Sequence, residues 1–208
     1  MIGIIDYQAG NLTSVARALT YLGYECIISS DISELKKAER IIFPGVGAAK
    51  SAMESLRRFG LDQFLKEAFR EGKPILGICL GTQIIFEESE EDGGTETLGL
   101  LKGKVVRFPE PLIWNGEKLK IPQMGWNRVR WIKNHPVFKD LDPEYEYYFV
   151  HSYYPQPADS EIICGITFYG IEFPSAVAYQ NLVAVQFHPE KSGKPGLKIL
   201  KQFCEWIP

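Results

Sequence analysis

Two short stretches carry residue types that could do covalent chemistry: Gly77-Ile78-Cys79-Leu80-Gly81 and His188-Pro189-Glu190. The first follows an apolar run, Pro74-Ile75-Leu76-Gly77-Ile78, and precedes a helix-like run from Thr82 to Glu87. A sharp strand-to-helix bend of this form holds its central residue in a strained conformation, and side chains in place of the two glycines would collide with their surroundings. The bend lifts that residue above the carboxyl edge of an open α/β sheet, where such folds place their sites. A helix start favours negative charge on the group it faces. Cys79 therefore reads as a nucleophile. A free cysteine taken alone is more often a small buried hydrophobe. That is the reading for Cys26, Cys164 and Cys204, which sit in apolar strand or helix contexts.

A sulfur nucleophile needs a base, and the chain has 3 histidines. His135 precedes Pro136 in a polar stretch that predicts a surface turn, and His151 ends a strand-like run before Ser152-Tyr153-Tyr154. His188 follows Val183 to Phe187 and has a carboxylate two positions on. In extended backbone, residues i and i+2 point the same way, so Glu190 reaches the His188 ring while Pro189 stiffens the link. A carboxylate that fixes the tautomer of such a base completes a triad. Without the elbow, the pair would read as a strand-end histidine beside a surface glutamate.

Acyl transfer also needs N–H donors aimed at the developing oxyanion. The Leu80 amide, next after the nucleophile, supplies one. The loop Pro44-Gly45-Val46-Gly47 suits the second, from Val46 or Gly47, because its glycines let an N–H turn outward. Taken by itself, the loop reads equally as a plain glycine turn.

The elements that must position these groups alternate. Ile2 to Ile5 reads as a strand, followed by a helix with Asn11 as its cap and Leu12, Val15, Ala16 and Leu19 at helical spacing. Cys26 to Ile28 and Arg40 to Phe43 read as further strands, with a short helix opening at Asp31 or Ser33 between them. A long amphipathic helical region from Ala48 to about Gly72 breaks near Gly60, and Pro74 to Ile78 is apolar at every position. This alternation predicts an α/β fold with a doubly wound, mostly parallel central sheet, covered on both faces by helices. After Glu91, Leu98 to Phe108 reads as a hairpin around Lys102-Gly103. Further β-type runs follow at Trp126–Ile132, Tyr145–Val150, Ile162–Phe168, Ser175–Tyr179 and Leu182–Phe187, which adds antiparallel strands to the expected fold, and a helix closes the chain from Gly193 to Trp206. No linker interrupts the 208 residues, which predicts a single domain over 1–208.

With 23 basic against 26 acidic residues and a net charge of -3, the chain has no electrostatic footprint for nucleic acid or an anionic membrane. No apolar run is long enough to span a bilayer, and the N-terminus lacks the basic segment of a signal peptide. Four cysteines without paired spacing suggest neither a disulfide framework nor a zinc site. The expectation is a cytoplasmic protein with no metal and no cofactor.

Gly77-x-Cys79-x-Gly81-x-Gln83 together with His188-x-Glu190 resembles the class I (triad) glutamine amidotransferases, in the same order and over nearly the whole chain. Within that family the chain is similar to the glutaminase subunits of imidazole glycerol phosphate synthases. The segments that carry this narrower match are Asp6-Tyr7 through Asn11-Leu12, Pro44 to Gly47, Met124-Gly125-Trp126-Asn127, Phe149 to Tyr153 and His188 to Lys191. The resemblance implies a flavodoxin-like fold that hydrolyses glutamine through a thioester on Cys79, with His188 as acid/base and Glu190 as its orienter. It implies ammonia delivery to a (β/α)₈ cyclase subunit, giving imidazole glycerol phosphate and an aminoimidazole carboxamide nucleotide in histidine biosynthesis.

By the same resemblance, Gln83, Glu91, Gly47, His151, Ser152 and Tyr153 hold the amino-acid end of glutamine. Asn11, Met124, Trp126 and Lys191 face the cyclase, and Asn11 and the 44–47 loop transmit its occupancy. Gln83 lies one turn beyond Cys79 on the same helix face. Without the resemblance, Glu91 is one member of a solvated run, Glu87 to Asp92, and Trp126 is a core tryptophan. Gln8 and Gln123 depart from the family pattern, which has glycine and histidine there. Rival readings are a glutaminase of another class I amidotransferase, such as one feeding pyridoxal phosphate synthesis, a glutamine-binding regulatory subunit without catalysis, and a peptide-cleaving cysteine hydrolase of this fold.

Overall fold

The structure is a computed structural model that describes residues 1–8 and 10–208. The first half runs β1 (Ile2–Ile5), α1 (Leu12–Tyr21), β2 (Cys26–Ser29), α2 (Ile32–Lys37), β3 (Arg40–Gly45), α3 (Ala49–Phe59), α4 (Leu61–Arg70), β4 (Ile75–Cys79) and the short α5 (Leu80–Ile84). Small strands then predominate: β5 (Glu88–Ser89), β6 (Thr95–Glu96), β7 (Gly103–Arg107), β8 (Ile113–Trp114), β9 (Glu117–Lys118), β10 (Gln123–Arg128), β11 (Arg130–Trp131), β12 (Glu146–His151) and β13 (Tyr153–Pro157). The chain ends with β14 (Ile163–Tyr169), β15 (Ile171–Tyr179), β16 (Leu182–Val185) and α6 (Gly193–Glu205).

Eight strands form the central sheet in the order β11-β14-β15-β16-β4-β3-β1-β2. From β16 to β2 the neighbours are parallel, and from β16 to β11 they are antiparallel. The side-chain period of 2 divides the core between the two faces. Ile4, Ile42, Leu76 and Val183 pack on one side with α1 and α6, while Ile5, Ile41, Phe43, Ile75 and Ala184 pack on the other with α3 and α4. Both faces of β1 and β4 are therefore buried, which accounts for their apolar runs. Gly60, at φ 69, ends α3 and starts α4, and Asp31 caps α2 by accepting the Ser33 amide.

The structure corrects two expectations about local form. Leu98 to Phe108 is not a hairpin. Only Gly103–Arg107 is a strand, and it pairs with β13 and β5. The segment before it folds back over the end of α5, where Leu98, Gly99, Leu100 and Leu101 donate to the carbonyls of Ile84, Phe86 and Ile85. Those carbonyls have no helical partner after so short a helix, and the returning chain satisfies them. Asn11 stands at the start of α1, but its side chain makes no capping bond among the described residues, and its backbone is left-handed at φ 76. The amide is engaged elsewhere.

Candidate active site

Cys79 is the last residue of β4 and sits at φ 54, ψ -109, a region that an L-residue occupies only under constraint. The constraint comes from close approach at both glycines. A Cβ on Gly81 would lie 1.9 Å from the Phe43 carbonyl oxygen, and one on Gly77 would lie 3.1 Å from the Ala184 Cβ. Thr82 Oγ1 donates to the Val185 carbonyl at 2.6 Å and ties α5 to β16. The sulfur is thereby fixed at the carboxyl edge of the sheet, next to the strand that leads into His188.

His188 follows β16 and is almost wholly buried. Its N–H donates to the Tyr148 carbonyl at 2.9 Å, and its own carbonyl accepts from Ser192 Oγ at 2.6 Å. Ser192 Oγ in turn accepts the Tyr148 N–H at 3.0 Å. Helix α6 presses on the turn from below, since a Cβ on Gly196 would stand 2.0 Å from the Pro189 carbonyl oxygen. His188 Nδ1 pairs with Glu190 Oε1 at 2.8 Å, with both side chains at most 2% exposed. The contact is as expected, but the route is not. Pro189–Lys191 forms a single 3₁₀ turn rather than an extended segment, and the turn brings the carboxylate back beneath the ring. Asn11 Nδ2 donates to the same Glu190 oxygen at 2.7 Å, which is where its amide is used.

Burial opposes a charged His188 ring, but hydrogen bonding and attraction from Cys79 and Glu190 override it and hold the ring at about 9. No described residue offers its Nε2 a well-formed hydrogen bond. Cys164 and Cys204 are different: burial pushes their thiols up to about 11 and about 12, which leaves them inert. His135 is not a free surface residue, because its ring packs between Phe138 and Trp206.

A cavity of about 340 Å³ opens at Cys79, lined by Val46, Gly47, Leu80, Gln83, Glu91, Pro122, Val150, His151, Ser152 and Tyr153. Every residue expected to form an oxyanion donor or to hold the amino-acid end is on that wall. Glu91 leaves the solvated run around it by turning inward. It accepts the Ala49 N–H at the start of α3 at 2.7 Å, and burial raises its carboxyl above the usual range despite that bond. His151 is buried, with Nδ1 2.8 Å from the Tyr153 carbonyl and Nε2 3.0 Å from the Gln123 side chain. Burial lowers it to about 4, so the ring stays neutral. Gln123 thus takes a defined place as partner of a cavity histidine.

Met124 and Trp126 lie outside the cavity on β10, both more than half exposed. Trp126 is therefore not a core tryptophan. It meets Tyr148 edge-on at 5.9 Å, and Lys191 stands over the same Tyr148 ring at 5.7 Å. Sequence reasoning missed Tyr148, which is joined to His188 through the backbone, and Gln186, whose side chain faces Cys79. Gln186 lies two positions before His188, inside the run Leu182–Phe187 that reads as a strand in the sequence.

An elbow cysteine at the edge of a cavity, with a carboxylate-bound histidine beside it on a doubly wound sheet, has the parts of a cysteine-dependent acyl-transfer site. Residues 3–206 match the family model of class-I glutamine amidotransferases, and the chain belongs to that family. It is 50% identical to the imidazole glycerol phosphate synthase subunit HisH of a Geobacillus species, over 100% of this chain and 97% of that protein. It is likewise 50% identical to the HisH subunit of Sulfurimonas denitrificans, over 99% and 98%. Within the family the chain is thus of the HisH type, a glutamine amidotransferase subunit of histidine biosynthesis. A solved structure of a glutamine amidotransferase superposes with a TM-score of 0.74 over 98% of both chains at 18% identity, which establishes a shared fold.

Proposed function

We propose that Cys79 is the nucleophile, His188 the general acid/base and Glu190 the group that orients it, in glutamine hydrolysis. The sulfur attacks the side-chain amide carbon, and the carbonyl oxygen becomes an oxyanion received by the Leu80 N–H and an N–H of the Val46–Gly47 segment. His188 gives a proton to the departing nitrogen, the C–N bond breaks, and ammonia leaves a thioester on Cys79. Water then attacks the thioester with His188 as base, releasing glutamate and restoring the sulfur. Gln83, Glu91, Gly47 and the His151–Tyr153 segment hold the amino-acid end. Glu91 faces the α-ammonium, because a carboxylate made costly by burial regains stability when a cation enters.

The observation that carries this reading is the 2.8 Å His188–Glu190 pair beside a cysteine at φ 54. The ammonia goes to a partner subunit, a (β/α)₈ cyclase that makes imidazole glycerol phosphate and the aminoimidazole carboxamide nucleotide. Met124, Trp126 and Lys191 form the docking surface, Asn11 and the 44–47 loop carry the signal of its occupancy, and the chain works in the cytoplasm as a single glutamine amidotransferase domain over residues 1–208. Glutamate release with and without the cyclase and its ligand tests this. Turnover that is lost in Cys79→Ala and rises with the liganded partner supports it. Turnover indifferent to either change defeats it.

A further inference from the structure

We propose that Gln186 is a positioning residue whose side-chain amide donates to the Cys79 sulfur and couples it to Gln83, so that substrate held at Gln83 and the nucleophile are set by one hydrogen-bonded chain. The inference rests on the reading of Cys79 as the nucleophile.

Gln186 is fully buried, with its backbone N–H fixed to the Ser175 carbonyl at 2.9 Å. A buried primary amide requires partners for both of its ends. Their identity fixes which way it faces. The Tyr153 carbonyl can only accept, and it takes the Gln83 Nε2 at 2.9 Å, so the NH₂ of Gln83 points that way. The same Gln83 nitrogen lies 3.2 Å from Gln186, so the atom of Gln186 that meets it is the oxygen. The NH₂ of Gln186 is left facing Cys79 Sγ, at 3.9 Å, within reach of a large, soft sulfur acceptor.

The opposite contact sharpens the role. Sγ also lies 3.9 Å from the Val150 carbonyl, which can only accept and therefore favours a protonated thiol. An N–H from Gln186 favours the thiolate instead. β16 ends at Val185, and the bend that follows turns both Gln186 and His188 to the sulfur while Phe187 between them packs into the aromatic core with Tyr147 and Phe149. One short bend after β16 thus delivers both the base and a fixed donor. Gln83 also lines the cavity, so substrate that draws on its amide shifts the Gln186 donor at the same time.

The test is the pH dependence of Cys79 alkylation by iodoacetamide in the full chain, read beside kcat and KM for glutamine. Gln186→Leu keeps the volume and removes the donor, and alkylation should shift to higher pH, with kcat reduced by about tenfold to a hundredfold, the scale of a hydrogen bond to a charged group. Gln186→Glu still accepts from Gln83 but sets an acceptor against the sulfur, and should shift the profile further in the same direction. Gln186→Asn, which withdraws the amide by one methylene without removing it, covers the case where leucine prevents folding, and should give a smaller shift. A folded variant with the wild-type alkylation profile overturns the proposal even where kcat falls, because core disruption alone does not move that profile. Glutaminase activity surviving in Cys79→Ala would instead refute the nucleophile assignment beneath it.

Discussion

Asn11 and Glu190, at opposite ends of the chain, are joined by a 2.7 Å hydrogen bond to the carboxylate oxygen that also takes His188 Nδ1 at 2.8 Å. Two donors on one oxygen fix the carboxylate, and the carboxylate fixes the ring. Asn11 also adopts φ 76, a conformation glycine accepts freely. Asn11→Gly therefore removes the amide without straining the backbone. It should lower kcat by about tenfold and the unfolding free energy by about 1–3 kcal/mol, since one charge-assisted bond to a buried carboxylate is lost two steps from the chemistry. Asn11→Asp places a like charge against Glu190 and should cost more. Glutamate release and denaturant unfolding measure the two, and an active Asn11→Gly enzyme would remove Asn11 from the catalytic support.

The His188 ring holds its proton to about 9, against an ordinary value of 6.5. A group whose value is raised on folding contributes stability that is complete below pH 6.5 and lost as pH rises through about 9. Unfolding free energy should decline across that window. Turnover should also fall on its alkaline side, once the ring no longer holds a proton to give the departing nitrogen. Glu190→Gln keeps the shape but removes one of the charges that raise the ring. Its alkaline limb should move to lower pH. A limb that stays in place would show that another group sets it.

The central sheet and the positions of Cys79 and His188 were legible in the sequence because they follow from periodicity. Apolar runs mark strands covered on both faces, and glycines at fixed spacing mark a bend. What was not legible depends on where distant segments meet. Asn11 has a cap's chemistry, but its amide finds Glu190 only when the N-terminal loop lies across the 189–191 turn. Glu91 reads as one carboxylate among several until the start of α3 arrives beside it. The 98–101 segment has strand-like residues yet closes the end of α5, since the neighbouring helix needs its N–H groups more than a partner strand does. Tertiary contact decided each case over local preference.

Gly45 and Tyr7 make a packing prediction. The Tyr7 hydroxyl is buried with no partner among the described residues, and a Cβ on Gly45 would stand 1.8 Å from it and 3.2 Å from the Leu80 Cβ. Gly45→Ala should destabilise the fold by about 1–3 kcal/mol and displace the loop bearing Val46 and Gly47. Tyr7→Phe removes an oxygen that has no bond to lose, so it should be neutral or stabilising by up to about 1 kcal/mol. It should also recover part of the Gly45→Ala loss, because the nearest clashing atom is gone. Denaturant unfolding of the four proteins gives the coupling. Strict additivity would mean that the clash is relieved elsewhere.

Trp126 makes the last prediction, because a large aromatic side chain stands exposed there. It is 55% exposed and Met124 beside it 65%, on alternate outward positions of β10. Tyr148 and Lys191 extend the patch to the turn that holds Glu190. An aromatic residue flanked by a methionine and a cation has the makeup of an interface centre. Truncating such an anchor costs about 2 kcal/mol, or about thirtyfold in Kd for the partner subunit. Trp126→Ala should show that loss with unfolding free energy within about 0.5 kcal/mol of wild type, as for other surface positions. Ile28→Ala, at an exposed site on the far edge strand β2, should leave both unchanged. Because Tyr148 also holds the His188 backbone at 2.9 Å, Trp126→Ala should further weaken the rise in turnover that the partner brings. Equal affinity in Trp126→Ala and wild type would place the partner on a different face.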